Sequence, residues 1–510
     1  MDLQTRIRKI VEHIADGMHE REDIIAVALL GALSNQNTFL YGPPGTAKSL
    51  ISRRIASAFK EPTYFECLMN RFSTPEELFG PVSIKELKED RYIRKIDKYL
   101  PTAEFAFLDE IWKSSPAILN SLLTLINEGT YRNGTDIIKA PLKALIAASN
   151  ETPEPNQGLE ALYDRFIIRM MVGPIKRQSN FESLINSTAI DAKVNLPDNL
   201  VVKQSELESW PKELNTVLLS PETISVIHLI RKALDERFYE LDVYVSDRRW
   251  QKAAQLLKAS AFFNNRKQTN HSDILLLNHC LWTTKDNRET VIDIVYACIS
   301  EIGFTSDISI AELDRGKDLL DKEINKELYH KKDVYKDILN IADKKCFKAV
   351  LNFTYDYDET AQRTIYIPFD MMKTADSFHP LDAHGNELED FECTFDGQGT
   401  CSVEGHNFRN YYDATASYTP KVMFHKGDKK NEISTRLVES LRHSVIKTRE
   451  ELLSVLKQCS AKKEEYQSQL KSPFVTDNLL TIPLAGIDKQ IEDIELRIKD
   501  CQRLEELCCE

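Results

Sequence analysis

The chain has 510 residues, a formal net charge of −13 and 28% charged residues. At roughly 100–200 residues per domain, this length predicts about three or four domains. The acidic balance argues against a protein whose main work is non-specific nucleic-acid binding, because attraction to phosphates needs clustered Lys and Arg. The apolar run from Ile24 to Leu33 is too short for a membrane span of about 20 residues. Ten scattered cysteines without a CxxC pair predict free cytosolic thiols rather than disulfides or a zinc site.

Short apolar segments alternate with helical ones after two N-terminal helices, the second of which is nearly all apolar. We expect strands at residues 38–41, 63–67, 105–110, 141–150 and 166–172. Such alternation is typical of a parallel sheet that is covered on both faces. From about residue 173 to 300 the pattern is helical, and SDRRWQKAAQLLKASAFF has apolar residues at i, i+3, i+4 and i+7. This predicts an all-helical lid after the sheet.

The last 210 residues or so change character twice. Residues 305–343 are charged and predict a helix, with Ile338 and Ile341 in its packing stripe. Between 345 and 430 the apolar period becomes two, as in KAVLNFTYDYD, which predicts a small β-rich module. Two further helical segments follow, and all three helices would pack as a bundle. The tyrosines of the module form either part of its core, which we favour, or a binding surface: Tyr355, Tyr357, Tyr411, Tyr412 and Tyr418.

The strongest motif is GPPGTAKS at residues 42–49, between a strand and a helix. Phosphate oxygens need several N–H donors, which a Gly-rich turn at a helix N-terminus supplies. Lys48 would neutralise the β- and γ-phosphates, and the Ser49 hydroxyl would hold Mg²⁺. A tight turn after a buried strand is the alternative. The predicted ATP-binding residues of this loop are Gly42, Pro43, Pro44, Gly45, Thr46, Ala47, Lys48, Ser49 and Leu50.

One residue departs from the P-loop pattern, which has Gly before the Lys where this chain has Ala47. A positive φ would cost Ala roughly 1 kcal/mol, whereas a helical φ would cost nothing. We interpret Ala47 as the residue that opens the helix, with helical φ.

Two acids and an amide follow apolar strands at the edge where a parallel sheet binds ligands. FAFLDE ends on Asp109, which would bind Mg²⁺, and Glu110, which would polarise the attacking water as general base. Asn150 ends the next strand and would hydrogen-bond that water. Taken alone, each is an ordinary strand end or turn residue, but in this order after a P-loop they predict ATP hydrolysis.

Two arginines are candidates for contact with the γ-phosphate. Arg165, just before the fifth strand, would project to a neighbouring subunit's nucleotide, where such a finger greatly raises the rate. The alternative is a surface arginine paired with Asp164. Arg248, at the start of a lid helix, would contact the same phosphate within its own subunit. Arg249 competes for that role, and we favour Arg248.

These motifs together resemble the AAA+ ATPase superfamily, and within it the RavA-type branch of the MoxR group. The resemblance is dense over about residues 1–290, and in the rest of the chain only the organisation is similar. Beyond the nucleotide motifs it rests on residues 71–81, 99–134, 145–154, 159–166 and 244–263. In this group Ala is also usual before the P-loop Lys.

The resemblance implies a homo-hexameric ring with ATP and Mg²⁺ at the subunit interfaces and a chaperone-like remodelling activity. It also implies a partner that carries a von Willebrand factor A (vWA) domain. Residues 71–81 resemble the superfamily's insert in helix 2, and residues 129–141 resemble the β-hairpin before the fourth strand. Both insertions would face the ring pore or the partner.

We therefore predict an α/β P-loop AAA+ core with a five-stranded parallel sheet (1–195) and an all-α lid (196–304). A discontinuous helical bundle (305–344 and 431–510) would carry an inserted β-rich module that binds a further protein (345–430). The predicted function is a cytoplasmic ATPase motor that remodels or activates a protein partner.

Two other functions compete with this prediction. One is a nucleotide-dependent scaffold whose C-terminal module binds a partner enzyme. Glu110, Asn150 and Arg165 argue against it, because binding alone needs none of them. The other is a DNA translocase, which the net charge of −13 and the lack of a basic groove with interleaved aromatics disfavour.

Overall fold

The chain folds into two compact units, seen in a computed structural model. The first unit comprises residues 1–307 and 458–492, and the second comprises 308–457 and 493–510. The structure describes residues 1–153, 159–187, 191–328, 334–336, 338–354, 360–397, 399–406, 414–424 and 434–509. The predictions for Tyr355, Tyr357, Tyr411 and Tyr412 therefore lie outside the described residues.

The first unit begins as an alternation of helices and strands and continues as helices. Its α/β part consists of α1 (Leu3–Ala15), α2 (Glu22–Leu33), β1 (Asn37–Tyr41), α3 (Lys48–Ala56), β2 (Tyr64–Leu68), α4 (Pro75–Phe79), α5 (Ile84–Leu87), β3 (Phe105–Asp109), α6 (Pro116–Glu128), β4 (Thr130–Asn133), β5 (Asp136–Lys139), β6 (Ala144–Ser149), α7 (Glu160–Tyr163), β7 (Phe166–Met171) and α8 (Gln178–Asn186). The lid that follows consists of α9 (Gln204–Leu214), α10 (Pro221–Glu236), α11 (Phe238–Leu241), α12 (Asp247–Phe263), α13 (His271–Ile274) and α14 (Lys285–Glu301).

Five strands form one parallel sheet in the order β2-β3-β6-β1-β7. The sheet predicted from the apolar segments is thus confirmed. Central strands buried on both faces read as continuous apolar runs, and every residue of β6 is buried. The carboxyl ends of β1, β3 and β6 meet at one edge of this sheet, where the predicted site residues follow them.

Both faces of the sheet are covered. Nine residues of α2 are buried, and this helix packs on one face with α1 and α3. On the other face, Phe39 of β1 contacts Trp112 and Tyr163, with ring centroids 5.6 Å apart in each pair. Because its strands are anchored on both sides, the sheet holds its carboxyl edge in a fixed geometry.

The two segments that resemble AAA+ insertions form a hairpin and a short helix. β4 and β5 form an antiparallel hairpin, and α4 lies in the segment that resembles the helix-2 insert. Their apolar side chains are unusually accessible: Phe72 is 89% exposed and Ile137 72% exposed. Singly exposed apolar residues are common, but these two lie on the segments that resemble insertions.

The lid is a helical layer whose centre contains Leu257, Trp282 and Val295, all fully buried. A segment from near the C-terminus packs against it. His271 Nε2 donates to Ile302 O at 2.8 Å, and its Nδ1 accepts from the Tyr466 hydroxyl at 2.5 Å. Across the described ranges, no helix has both the length and the apolar composition needed to span a membrane.

The second unit combines helices with a β module. Its elements, with two long helices that also contribute to the first unit, are α15 (Ala311–Leu328), β8 (Val334–Tyr335), β9 (Ile338–Ile341), β10 (Lys344–Thr354), β11 (Thr360–Pro368), β12 (Phe391–Phe395), β13 (Cys401–Gly405), β14 (Ala414–Tyr418), β15 (Val422–Phe424), α16 (Thr435–Leu470) and α17 (Ala485–Cys509). Within this unit α15 is paired to α17 by Lys317 and Asp500, 3.2 Å apart.

The β module is built from small antiparallel sheets, β11-β10-β9 and β12-β13-β14, around one apolar core. Tyr418 packs against that core, as we favoured. The prediction that Ile338 and Ile341 belong to a helix is wrong, because both lie in β9. Their three-residue spacing suits a helix, but pairing with β10 at Phe347 and Lys344 determines the backbone here.

Candidate functional site

The P-loop connects β1 to α3 at the carboxyl edge of the sheet. Tyr41 is in register with Ser149 of β6, and the Gly42 N–H donates to Ser149 O at 3.0 Å. A Cβ on Gly42 would lie 2.1 Å from Val172 O, so no larger residue fits between the loop and the chain that leaves β7. The start of the loop is therefore fixed by its neighbours on both sides.

Ala47 has φ +68° and ψ +24°, which is the left-handed conformation. Our interpretation that it has helical φ is wrong, because α3 begins at Lys48 and Ala47 is its N-cap. The conformation costs a residue with a Cβ roughly 1–2 kcal/mol. The loop thus adopts the P-loop bend that Gly usually permits, with an Ala that is strained in it.

Lys48 lies inside the curl of the loop. Its Nζ donates to Gly42 O and to Pro43 O, both at 2.9 Å. Burial lowers the pKa of Lys48, although the charges of Asp109 and Glu110 act in the opposite direction. An ammonium so enclosed, next to the helix N-terminus, favours an incoming anion.

Asp109 and Glu110 stand at the end of β3, facing the P-loop. The Glu110 N–H donates to Asp109 Oδ1 at 3.0 Å, which orients that carboxylate. Burial raises the pKa of Asp109, and the charge of Lys48 opposes the shift. Glu110 adopts a left-handed backbone, with φ +52°. Its Oε2 accepts from the Ser149 hydroxyl at 3.5 Å and lies 3.2 Å from Lys113 Nζ.

Asn150 follows β6 directly and is exposed. Since β6 lies between β3 and β1, Asn150 emerges between the acids and the P-loop. The structure therefore brings together Lys48, Asp109, Glu110 and Asn150 at one edge of the sheet, as the sequence predicts.

These residues suit a nucleoside triphosphate with a divalent cation. Gly45 has φ +80°, and a Cβ added there would meet no atom within 4 Å, so the loop is open at this position. Mg²⁺ commonly takes one or two protein oxygens together with phosphate and water oxygens. The Ser49 hydroxyl and the Asp109 carboxylate would be those protein ligands.

Arg165 and Arg248 line a separate cavity of about 310 Å³, together with Lys252 and Asn127. The Arg165 guanidinium donates to Asn127 Oδ1 and Ala161 O. Burial lowers the pKa of Arg165, and the nearby charge of Arg248 adds to this. Residues 43–47 of the P-loop line a different cavity.

Asp164 and Arg249, the chain neighbours of these two arginines, have contacts of their own. Asp164, the proposed ion-pair partner of Arg165, accepts from the Ser246 hydroxyl at 2.8 Å. Arg249 is 1% exposed and donates to Trp282 O at 3.0 Å. Burial, with the charge of Arg169 nearby, lowers the pKa of Arg249 to about 9. Arg249 therefore belongs to the packing between the sheet and the lid, and Arg248 is the accessible arginine of the pair.

Sequence reasoning missed the apolar wall beside the P-loop. A cavity of about 390 Å³ is lined by Leu50, Met18, Phe181 and Leu184, next to loop residues 43–47. Phe181 is 52% exposed and Leu184 41% exposed, although both are apolar. Their three-residue spacing on α8, directly after the fifth strand, was the available signal. Such a wall suits a flat heterocycle such as a nucleobase.

Comparison with known proteins assigns the two parts of the first unit. Residues 5–209 match a family model described as the MoxR domain in the MoxR-vWA-β-propeller ternary systems. Residues 222–295 match a model of the AAA lid domain.

Two uncharacterized proteins of Methanocaldococcus jannaschii are similar to this chain. One is 39% identical over 296 residues, which cover 58% of this chain and 75% of that protein. The other is 39% identical over 281 residues, which cover 55% of this chain and 72% of that protein. A crystal structure from Cytophaga hutchinsonii, of a protein proposed to be an ATPase, covers 60% of this chain and 96% of its own at 18% identity, with a TM-score of 0.47.

Proposed function

The chain belongs to the MoxR group of AAA+ ATPases, and on that premise we propose that it hydrolyses ATP with Mg²⁺ to remodel or activate a protein partner. The observation that carries the proposal is the meeting of Lys48, Asp109 and Glu110 at one edge of the sheet. A site for binding alone needs a cation and a loop, whereas a carboxylate aimed at the same place is needed to activate water.

Each residue has a distinct part in the proposal. Lys48 and the loop N–H groups bind and orient the phosphates. Mg²⁺, when bound through Ser49 and Asp109, neutralises charge on the phosphates. Glu110 takes the proton of the attacking water, and Asn150 orients that water. Lys113, whose Nζ lies 3.2 Å from Glu110 Oε2, would hold that carboxylate in position.

The placement of Arg165 and Arg248 supports catalysis across a subunit interface. Both line one cavity, whereas the P-loop lines another. Together with Lys252 they concentrate positive charge where a neighbouring subunit could present its triphosphate. We infer that the active form is a homo-hexameric ring and that both arginines act in trans. The alternative is the contact predicted from the sequence, in which Arg248 binds the phosphate of its own subunit.

The partner is proposed to carry a vWA domain. The description of the matched family model, which names vWA and β-propeller components, supports this partner. The β module of the second unit, with its own apolar core, would bind a further protein, as in the RavA-type branch. We place the assembly in the cytoplasm, in keeping with the ten free cysteines of the chain.

The test is a steady-state phosphate-release assay on the full-length chain, with and without Mg²⁺, beside Lys48→Ala. We expect Mg²⁺-dependent turnover that Lys48→Ala abolishes together with nucleotide binding. The matched control is Lys60→Ala, an exposed lysine that follows the same helix. If the intact chain binds ATP with Mg²⁺ and releases no phosphate, alone or with a vWA partner, the scaffold function replaces the motor.

A further inference from the structure

Arg21 is a buried arginine beside the P-loop, and no motif points to it. It also lines the cavity next to loop residues 43–47. It is the N-cap residue of α2 and is 7% exposed. Its guanidinium donates to three backbone carbonyls: Gly173 O at 2.6 Å, Glu20 O at 2.9 Å and Thr46 O at 3.4 Å. The side chain therefore connects the turn before α2, the chain that leaves β7 and the P-loop.

The hydrogen bond from Arg21 to Thr46 O holds the peptide between Thr46 and Ala47, and the orientation of this peptide determines the strained φ of Ala47. Rotation about φ of Ala47 turns the Thr46–Ala47 peptide relative to the helix that follows. On the helix side, Ala47 O accepts from the Ile51 N–H at 3.0 Å, so that peptide is already held. On the loop side, Thr46 Oγ1 donates to Pro43 O at 2.9 Å, and Arg21 holds Thr46 O.

Backbone strain persists only where the surroundings enforce it. Ala47 has φ +68°, where Gly would carry little strain because it has no Cβ. If the Thr46–Ala47 peptide turned toward the relaxed backbone, the direction of the Ala47 N–H would turn with it. In a phosphate-binding loop, N–H groups like this one are the donors to the phosphate oxygens.

We propose that Arg21 is a positioning residue that holds Ala47 in the left-handed conformation and so keeps the P-loop in its nucleotide-binding form. The inference rests on the proposed nucleotide site. It goes beyond that site because it assigns a role to a residue outside every nucleotide motif of the chain. Its specific consequence is that a Gly at position 47 makes the loop largely independent of Arg21.

A double-mutant cycle tests this coupling, since contacting residues that act together are non-additive. The variants are Arg21→Gln, Ala47→Gly and their combination, and the probe is a fluorescent ATP analogue with Mg²⁺. We expect Arg21→Gln to weaken binding about tenfold in the parent chain and about twofold or less in the Ala47→Gly background. Arg21→Lys, which keeps the charge but not the planar fork, should lie between.

The matched control is Arg54→Gln. Arg54 is 4% exposed and donates to Asp191 O at 2.8 Å and Ile14 O at 3.4 Å, but its contacts do not include Thr46 O. Its effect should be the same in both backgrounds. An equal loss from Arg21→Gln in both backgrounds overturns the inference.

A second readout separates this inference from the proposed function. The same cycle, followed by thermal unfolding without nucleotide, measures the strain itself. Ala47→Gly should raise the Tm more in the parent chain than in Arg21→Gln if Arg21 enforces the strained form. A parent chain that binds no ATP contradicts the proposed function. The unfolding cycle still tests the inference in that case, because non-additive changes in Tm confirm the coupling of Arg21 to Ala47 and additive changes overturn it.

Discussion

Arg165, just before β7, and Arg248, in the first turn of α12, face the same cavity. Each is a cation, and the charge of Arg248 contributes to lowering the pKa of Arg165 after the larger effect of burial. Two like charges held this close favour binding of a multiply charged anion. Because the P-loop lines another cavity, that anion is proposed to come from a neighbouring subunit.

Substitution of either arginine should remove hydrolysis without removing nucleotide binding. We expect Arg165→Ala and Arg248→Ala each to lower turnover by about 10³-fold or more, as for a finger supplied in trans. Mixing either variant with Glu110→Gln subunits should restore activity, because each mixture contains interfaces with an intact glutamate and an intact arginine. Phosphate release from the mixtures is the measurement.

The control for that experiment is Arg231→Ala, an exposed arginine on the lid helix α10, which should have no effect. Rescue of Arg165→Ala without rescue of Arg248→Ala would place Arg248 on its own subunit's phosphate. Rescue of neither would contradict an interfacial role for both.

The apolar wall of α8 should determine affinity for the base rather than for the phosphates. We expect the double substitution Phe181→Ser and Leu184→Ser to weaken ATP binding about tenfold. Each substitution removes apolar area that would contact the base, and the loss for the pair is of the order of a kcal/mol or more. Binding of inorganic tripolyphosphate should be unchanged. Ile185→Ser is the matched control, because Ile185 is 64% exposed on the same helix and does not line the cavity. Competition titrations against both ligands measure the difference, and equal losses for the two would contradict the base site.

Stability should depend on pH through His271. Burial lowers the pKa of this imidazole, so the folded chain keeps it neutral where the unfolded chain takes up a proton. The resulting loss of folding stability is absent above the ordinary His pKa of about 6.5 and grows as the pH falls below that value. His271→Gln should therefore lower the Tm at pH 7.5, yet flatten its decline between pH 7.5 and 5.5.

Thermal unfolding at several pH values measures that slope. His228→Gln, at an exposed position on α10, is the control and should leave the slope unchanged. His279 contributes to the remaining slope, since burial lowers its pKa to about 4. A variant slope as steep as that of the parent would show that His271 is not the responsible group.

Removal of the β module should abolish binding of a protein partner without affecting ATP hydrolysis. Because β9 pairs with β10, the excision should run from residue 334 to 430 rather than from 345. With a flexible linker in its place, we expect unchanged ATP turnover and loss of binding to a further protein partner. Turnover and co-purification are compared with those of the full chain, and a collapse of turnover would make the module structural.

The sheet and the order of its site residues were predictable from sequence, for a local reason. Runs such as FAFLDE are apolar up to the end of the strand and polar immediately after it. Neighbouring residues therefore show both that the strand is buried and where its ligand-binding end lies. Lys48, Asp109, Glu110 and Asn150 meet because parallel strands share that edge.

The features that sequence reasoning missed depend on contacts between distant segments. The φ of Ala47 follows from how the loop joins α3 and from Arg21 on another helix. The cavity beside the P-loop joins Met18 to Phe181. The cavity that Arg248 shares with Arg165 depends on how the lid packs on the sheet, which spacing along the chain does not encode.

The central claim is that this edge of the sheet hydrolyses ATP with Glu110 as the base. The most direct measurement is ATP affinity and turnover of Glu110→Gln, made side by side on the full-length chain. We predict unchanged affinity and a loss of turnover of at least about 10²-fold, because the amide cannot take the proton of water. Turnover that persists at the parent rate, with affinity unchanged, would contradict the account.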